Sequence, residues 1–288
     1  SMAERGHLLI LGFGYAAEAV ARRAATAGFR VTGTTRSVER AKAITSDAAT
    51  GLAADPQSLS GRKALEGALS EATHLLGSAP PDDAGDPFMA ALGDAGARHL
   101  EWTGYLSTTG VYGDRGGGWA FEWDQPAPGT ARSRRRLAAE QQWAQAFNAK
   151  IFRIAGIYGP GRSALDRVRA GEARIIDKPG QVFARIHVED IAGCVMASIE
   201  RPGAEGPFNL SDDRPCASGE VTRGACALLG VDPPEPEPWD PNAVSPMMAS
   251  FYSENRRTAN ARTKARLGWR PAYPTWREGL AAILDAGG

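Results

Sequence analysis

Gly12-Phe13-Gly14-Tyr15-Ala16-Ala17 sets two glycines and a small residue at the spacing of a bend that cradles a diphosphate. The first glycine permits a tight turn, and the second lets the backbone approach the pyrophosphate. Ala17, in place of a third glycine, still lets helix and strand pack closely. The helix that opens there offers free N–H groups and a partial positive charge to the phosphates. Such a bend on its own is weak, because glycine-rich turns often serve structure only. Here a strand precedes it, a helix follows, and a second strand, Phe29 to Thr34, comes next. That strand runs into Thr35-Arg36-Ser37, where an NAD site would carry an acid for the ribose 2′-hydroxyl. Arg36 suits a 2′-phosphate instead, so the residues predict NADP, with NAD the less favoured form.

Other residues could move a proton or hold an anion. Tyr112 and Tyr158 carry hydroxyls in loops after strands, and either is a candidate proton donor. Arg132, Arg136 and Arg162 together suit a phosphate- or carboxylate-bearing substrate. The run Arg132-Ser133-Arg134-Arg135-Arg136 also invites a nucleic-acid reading. On a helix those side chains splay over several faces, and 33 basic residues balance 33 acidic ones, so no nucleic-acid partner is expected. Cys194, Cys216 and Cys226 have no metal-ligand spacing and form an odd set for disulfides, so no metal is expected and reduced thiols in a cytoplasmic protein are. No apolar run reaches the length of a membrane span, and the start of the chain, Ser1 to His7, does not read as a secretory leader.

The elements that must position these residues alternate as βαβ units. Strands are expected at 7–11, 29–34, 51–54, 73–77, 101–108 and 150–154, with helices over 15–27, 86–97 and 133–148. Beyond these the pattern loosens. Helices are expected near 190–200, 218–229 and 275–286 and a short strand at Phe208-Asn209-Leu210, while the proline-rich stretch 231–238 reads as linker or loop. The fold class is α/β: a Rossmann-type doubly wound parallel sheet with a smaller C-terminal substrate lobe. Residues 1–155 would form the dinucleotide domain and 156–288 mostly the lobe, with about 181–212 returning to the sheet.

Several stretches together resemble the extended short-chain dehydrogenase/reductases, in particular the nucleoside-diphosphate-sugar epimerase/dehydratase group and its atypical relatives. They are the glycine bend, Leu106-Ser107-Thr108-Thr109-Gly110-Val111-Tyr112-Gly113, Ile157-Tyr158-Gly159-Pro160-Gly161-Arg162, Arg185-Ile186-His187-Val188-Glu189-Asp190, Pro207-Phe208-Asn209-Leu210 and Leu267-Gly268-Trp269. The resemblance implies that Asp55 contacts the adenine amine and that Ser78-Ala79-Pro80 runs past the cofactor ribose. It implies that Thr108 hydrogen-bonds the reacting carbonyl beside the nicotinamide, and that Arg162 and His187 face the substrate; His187 could equally be a structural link between lobe and sheet.

The chain departs from that family at the chemistry. The family's Tyr-x-x-x-Lys pair has a glutamate four residues beyond the lysine. Glu140 fits that place, which sets Arg136 at the lysine and Arg132 at the tyrosine. Arg136 could hold ribose hydroxyls, but an arginine does not give up its proton near neutrality, so Arg132 is no general acid. Two functions follow. One is an NADP(H)-dependent oxidoreductase or epimerase/dehydratase-like enzyme on a small substrate, anionic or a sugar nucleotide, with a proton from a non-standard donor or water. The other is a catalytically inactive NADP(H)-binding sensor or scaffold. A homodimer is compatible with either.

Overall fold

Leu8 and Ile10 turn to one side of the first strand while Leu9 and Leu11 turn to the other, and all four are fully buried. A strand apolar on both faces needs helices on both faces, which is the condition that a doubly wound parallel sheet satisfies. The computed structural model describes residues 3–288; Ser1 and Met2, at the head of the segment expected not to be a leader, lie outside the described residues.

Seven strands form the sheet: β1 (Gly6–Leu11), β2 (Phe29–Thr35), β3 (Thr50–Ala53), β4 (His74–Gly77), β5 (Trp102–Thr108), β6 (Lys150–Ile154) and β7 (Phe208–Leu210). Their order is β7-β6-β5-β4-β1-β2-β3, and every neighbouring pair is parallel. The chain winds outward from β1 to β3, then crosses to β4 and winds the other way. A crevice therefore opens beyond the carboxyl ends of β1 and β4, the topological switch point where such sheets take ligands.

The helices α1 (Tyr15–Thr26), α2 (Val38–Ile44), α3 (Leu59–Glu71), α4 (Met89–Leu92) and α5 (Ala131–Phe147) come from the first half of the chain. The second half supplies α6 (Ala164–Arg169), α7 (Val188–Glu200), α8 (Ser218–Leu229), α9 (Pro246–Tyr252), α10 (Ala261–Leu267) and α11 (Trp276–Asp285). Helices α1 and α7 bury Ala17, Val20, Ile191 and Val195 on the Leu8/Ile10 face. Helices α3 and α5 bury Leu65, Leu69, Ala139 and Trp143 on the Leu9/Leu11 face. A separate small core joins α6, α8 and α11 through Leu165, Ala225, Trp276 and Leu280.

Two expectations need correcting. The helix expected over 86–97 shrinks to Met89–Leu92. Asp86 spends its carboxylate on the Phe88 N–H and the Trp143 indole N–H, at 2.8 and 2.9 Å, and glycines at 93 and 96 weaken continuation. The stretch 231–238 is a loop only to residue 236, since Glu237–Pro238 pairs in parallel with Ile176–Asp177. Helices α2, α3, α6, α9 and α10 have no counterpart among the expected elements. Most are short, and their start signals are single serine caps, as Ser37 for α2 and Ser58 for α3.

Candidate functional site at the switch point

Gly12 leaves β1 with φ +84°, a backbone region that favours glycine, and a Cβ placed on it would lie 2.9 Å from the backbone nitrogen of Ala79. Its N–H donates to the Thr34 hydroxyl at 2.9 Å. The bend after β1 and the Ser78-Ala79-Pro80 segment after β4 thus touch across the switch point with only hydrogen atoms between them. Gly14 behaves differently. It is exposed, nothing lies within 4 Å of the position of a Cβ, and it gives α1 no side-chain cap. The first α1 hydrogen bond runs from Glu18 N–H to the Gly14 carbonyl, so the N–H groups of the preceding turn are free for an outside acceptor. Phe13 lies flat against Gly33 of β2, where any side chain would collide with its ring. Ala17 is fully buried against the sheet.

Past β2, Arg36 is exposed and makes no hydrogen bond or ion pair among the described residues. Arg40, one turn into α2, donates from Nη2 to the Phe13 carbonyl at 3.2 Å. Sequence reasoning missed it, and its spacing of four from Arg36 beside a helix capped by Ser37 is the signal that could have found it. Asp55 sits just beyond β3 with its carboxylate accepting from Gln57 N–H at 2.9 Å.

Tyr15, grouped with the cofactor loop by sequence, reaches elsewhere. Its hydroxyl donates to the Pro160 carbonyl at 2.7 Å, and the Arg162 guanidinium lies 5.1 Å over its ring. These two residues clasp α1 to the segment after β6. Arg162 therefore stands beside the glycine bend, apart from the other two arginines with which it was grouped. Arg136 donates to the Leu106 carbonyl at 2.9 Å on the α5 side of β5, and Arg132 donates to the Met247 sulfur at 2.9 Å and lies over Phe251 on α9. The three arginines expected to share one anion have three separate sets of protein partners.

Thr108 ends β5 half-buried, and its hydroxyl accepts from Gly110 N–H at 3.1 Å, capping a short 3₁₀ turn over Thr109–Tyr112. Ser133 of α5 presses on that turn, its Oγ 2.7 Å from where a Gly110 Cβ would be. The N-terminus of α5 thus abuts the end of β5.

Three residues expected in the cleft are instead packed away from it. Tyr112 is fully buried; its hydroxyl donates to Asn209 Oδ1 at 2.6 Å and accepts from Arg153 at 3.2 Å. Arg153 also pairs with Glu140, which accepts from Ser107 at 2.7 Å. Burial raises the Tyr112 pKa, and its hydroxyl is spent on a buried polar network. Tyr158 points its buried hydroxyl against Gly279 of α11, with no hydrogen-bond partner among the described residues, and burial beside Asp212 pushes its pKa far up. His187 is 2% exposed, accepts from Glu189 N–H at its Nδ1, and packs its ring against Tyr158 and Tyr273. It caps α7 and packs that helix's start against Tyr158 and Tyr273. Asp190 completes that joint by accepting from Ala272 and Tyr273 N–H at 2.7 and 3.0 Å.

Burial raises two more acids, Glu122 and Asp212, to about 7. The three cysteines are buried and free. No helix among the described residues is long and apolar enough to cross a membrane.

No family model matches the chain. It is 30% identical over 170 residues to a 3-diazoavenalumate denitrifying reductase from a Streptomyces species, a match covering 54% of this chain and 55% of that protein. The chain so spans about half the length of that curated relative. A conserved protein of unknown function from Silicibacter pomeroyi is 42% identical, with a TM-score of 0.88 over 98% of this chain and 99% of that one. The UDP-glucose 4-epimerase of Thermus thermophilus, solved in complex with NAD, shares the fold at 19% identity and a TM-score of 0.74, over 97% of this chain and 99% of that one.

Proposed function

We propose that the chain is an extended short-chain dehydrogenase/reductase of the epimerase/dehydratase-like kind, whose fold it shares, and that it acts as an NADP(H)-dependent reductase of a small anionic substrate. The bend at Gly12 and Gly14 and the uncapped start of α1 fit a diphosphate, because the backbone comes close with no side chain in the way. Arg36 would take the 2′-phosphate, with Arg40 bracing the bend behind it. Asp55 would meet the adenine, Ser78 to Pro80 would follow the ribose, and Thr108 and Arg136 would flank the nicotinamide end. When bound, the reduced dinucleotide supplies hydride.

What carries the reading of the chemistry is the arginine at position 132, with Tyr112 and Tyr158 both buried elsewhere. On this reading the Thr108 hydroxyl would donate a hydrogen bond to the substrate, and the hydroxyls of Tyr112 and Tyr158, packed against other parts of the protein, would not protonate an alkoxide there. Losing a general acid costs about 10² to 10⁴ in rate when a carbonyl is reduced. A substrate that expels a neutral group on receiving hydride carries no such cost. An aryl diazonium acid, the cationic form of the kind of compound in the name of the Streptomyces relative, loses dinitrogen in this way: hydride forms the C–H bond at the ring carbon, the C–N bond breaks with its electron pair leaving on dinitrogen, and the cation's charge is cancelled by the hydride, so no proton is needed.

The test is purified protein titrated with NADPH and NADH, then assayed with an aryl diazonium carboxylate and with a set of simple ketones, following reduced-nicotinamide absorbance and dinitrogen release against protein-free controls. Tighter binding of NADPH and protein-dependent turnover of the diazonium acid, with the ketones slow or inert, is the expected result. No binding of either dinucleotide sinks the proposal. Tight binding with turnover of neither class replaces it by the sensor reading, which the same arginine at position 132 favours.

A further inference from the structure

Among the arginines at the start of α5, Arg135 is satisfied by Asp83 at 2.9 Å, whereas Arg132 has no carboxylate within ion-pair distance among the described residues. Its guanidinium is nevertheless held in place. Nη1 donates to the Met247 sulfur at 2.9 Å, and the carbon centre of the group lies 4.8 Å over the Phe251 ring. Met247 and Phe251 stand four residues apart on α9, so they share one face of it. They stay 54% and 52% exposed, which is unusual for side chains of this size and chemistry lying on a cation.

Helix α9 is rigidly presented. Its last residue, Tyr252, is buried, stacks on Trp239 with ring centres 4.8 Å apart, and packs edge-on against Phe183 at 5.0 Å. Lys178 bonds the Tyr252 carbonyl. Just beyond, Asn255 N–H donates to Asp114 at 2.8 Å, and Arg256 donates to the Gly113 carbonyl at 3.2 Å, tying the chain to the loop that follows the turn after Thr108. On the opposite side, Ser133, the neighbour of Arg132, presses against Gly110 of that same turn. The exposed apolar face and the unpaired cation therefore meet beside the end of β5.

We infer that Arg132, Met247 and Phe251 form a recognition site for a flat, conjugated carboxylate: the remaining guanidinium donors take the carboxylate, and the Phe251 ring and Met247 thioether cover the face of the π-system next to it. This deepens the proposed reductase by giving its substrate class, and rests on that reading for the claim that the ligand reacts. An arginine fork matches a carboxylate by two parallel N–H bonds, and its own stacking on Phe251 leaves its edge outward. A planar ligand continues the stack, while a puckered ring of equal size cannot lie flat on it.

The site is tested by titrating protein saturated with NADP, which cannot turn over, with three probes: cinnamate, its neutral analogue cinnamamide, and the non-planar 3-cyclohexylpropanoate. Cinnamate is expected to bind about tenfold tighter than either of the others. Arg132→Met should erase its advantage over the amide, Arg132→Lys should keep only part of it, and Phe251→Leu should erase its advantage over the cyclohexyl acid. All three variants should keep wild-type NADP affinity and thermal midpoint. Equal binding of the three probes, or variants that hold cinnamate as the wild type does, overturns the site. If NADP itself does not bind, the cofactor reading fails separately, and the same titration on nucleotide-free protein still decides the carboxylate site.

Discussion

Arg36 makes no side-chain bond among the described residues, and its side chain leaves from the end of β2 next to a helix whose first turn carries a second arginine, Arg40. A group held for an absent partner shows itself when removed. Arg36→Ala should weaken NADPH binding by about 2 kcal/mol, roughly thirtyfold, and leave NADH binding unchanged, as read by calorimetry. An equal loss for both dinucleotides would remove the residue from the 2′-phosphate. Tyr112 predicts the opposite kind of effect. Its hydroxyl lies between Asn209 and Arg153, both buried, so Tyr112→Phe should cost about 1 to 3 kcal/mol in denaturant unfolding with turnover unchanged. A large fall in kcat without loss of stability would restore it as a proton donor. Sequence could mark both residues as polar groups near loop ends, but the difference between an unpartnered arginine and a buried phenol is a matter of neighbours 41 and 97 residues away.

The ion pair of Glu140 and Arg153, each side chain 7% exposed, holds α5 against β6, with Ser107 of β5 bonded to the same carboxylate. Glu140 drew attention in the sequence only as a marker for counting back to positions 136 and 132. Its work in the structure is to seat the helix whose first turn carries Arg132 and Ser133. Breaking one partner of a buried pair leaves the other charge uncompensated, so Glu140→Gln should destabilise the protein by about 3 to 5 kcal/mol. Chemical denaturation checks this, and a loss no greater than that of an exposed pair would mean that Arg153 finds another acceptor. Most long elements were legible because their apolar residues recur at helix or strand spacing; α3, thirteen residues with only Gly61, Leu65 and Leu69 buried, was not, and neither was α9, whose seven residues hold one buried side chain.

Across the whole molecule, buried acids set the dependence of stability on pH. Glu122 has both carboxylate oxygens buried without a hydrogen bond, Arg262 stands 3.6 Å away, and burial raises its pKa to about 7. In the unfolded chain a glutamate titrates near about 4.3. Between these values the folded protein keeps a proton that the unfolded chain has released, so stability falls as pH rises through this window and stays low above it. Asp212, also raised to about 7 by burial, adds to the same slope. Glu122→Gln should therefore be more stable than wild type at pH 8, by up to about 3 kcal/mol, and equal to it near pH 4. A variant less stable at both pH values would show that the charge itself is needed, paired with Arg262. The raised acids belong to the C-terminal half or its contacts, where the sequence pattern loosens and where Asp190 and His187 hold the start of α7 against Ala272 and Tyr273.

The local code of this chain settled the parallel sheet and the bend at Gly12, because strand alternation and glycine spacing are properties of neighbouring residues. Only the folded chain decided that Tyr112 and Tyr158 are core groups, that Arg162 clasps Tyr15, and that Arg132 lies on Phe251. Those outcomes turn on burial and on partners brought from far along the chain, and a hydroxyl or a guanidinium carries no mark in sequence of the surroundings that fix its charge and its reach.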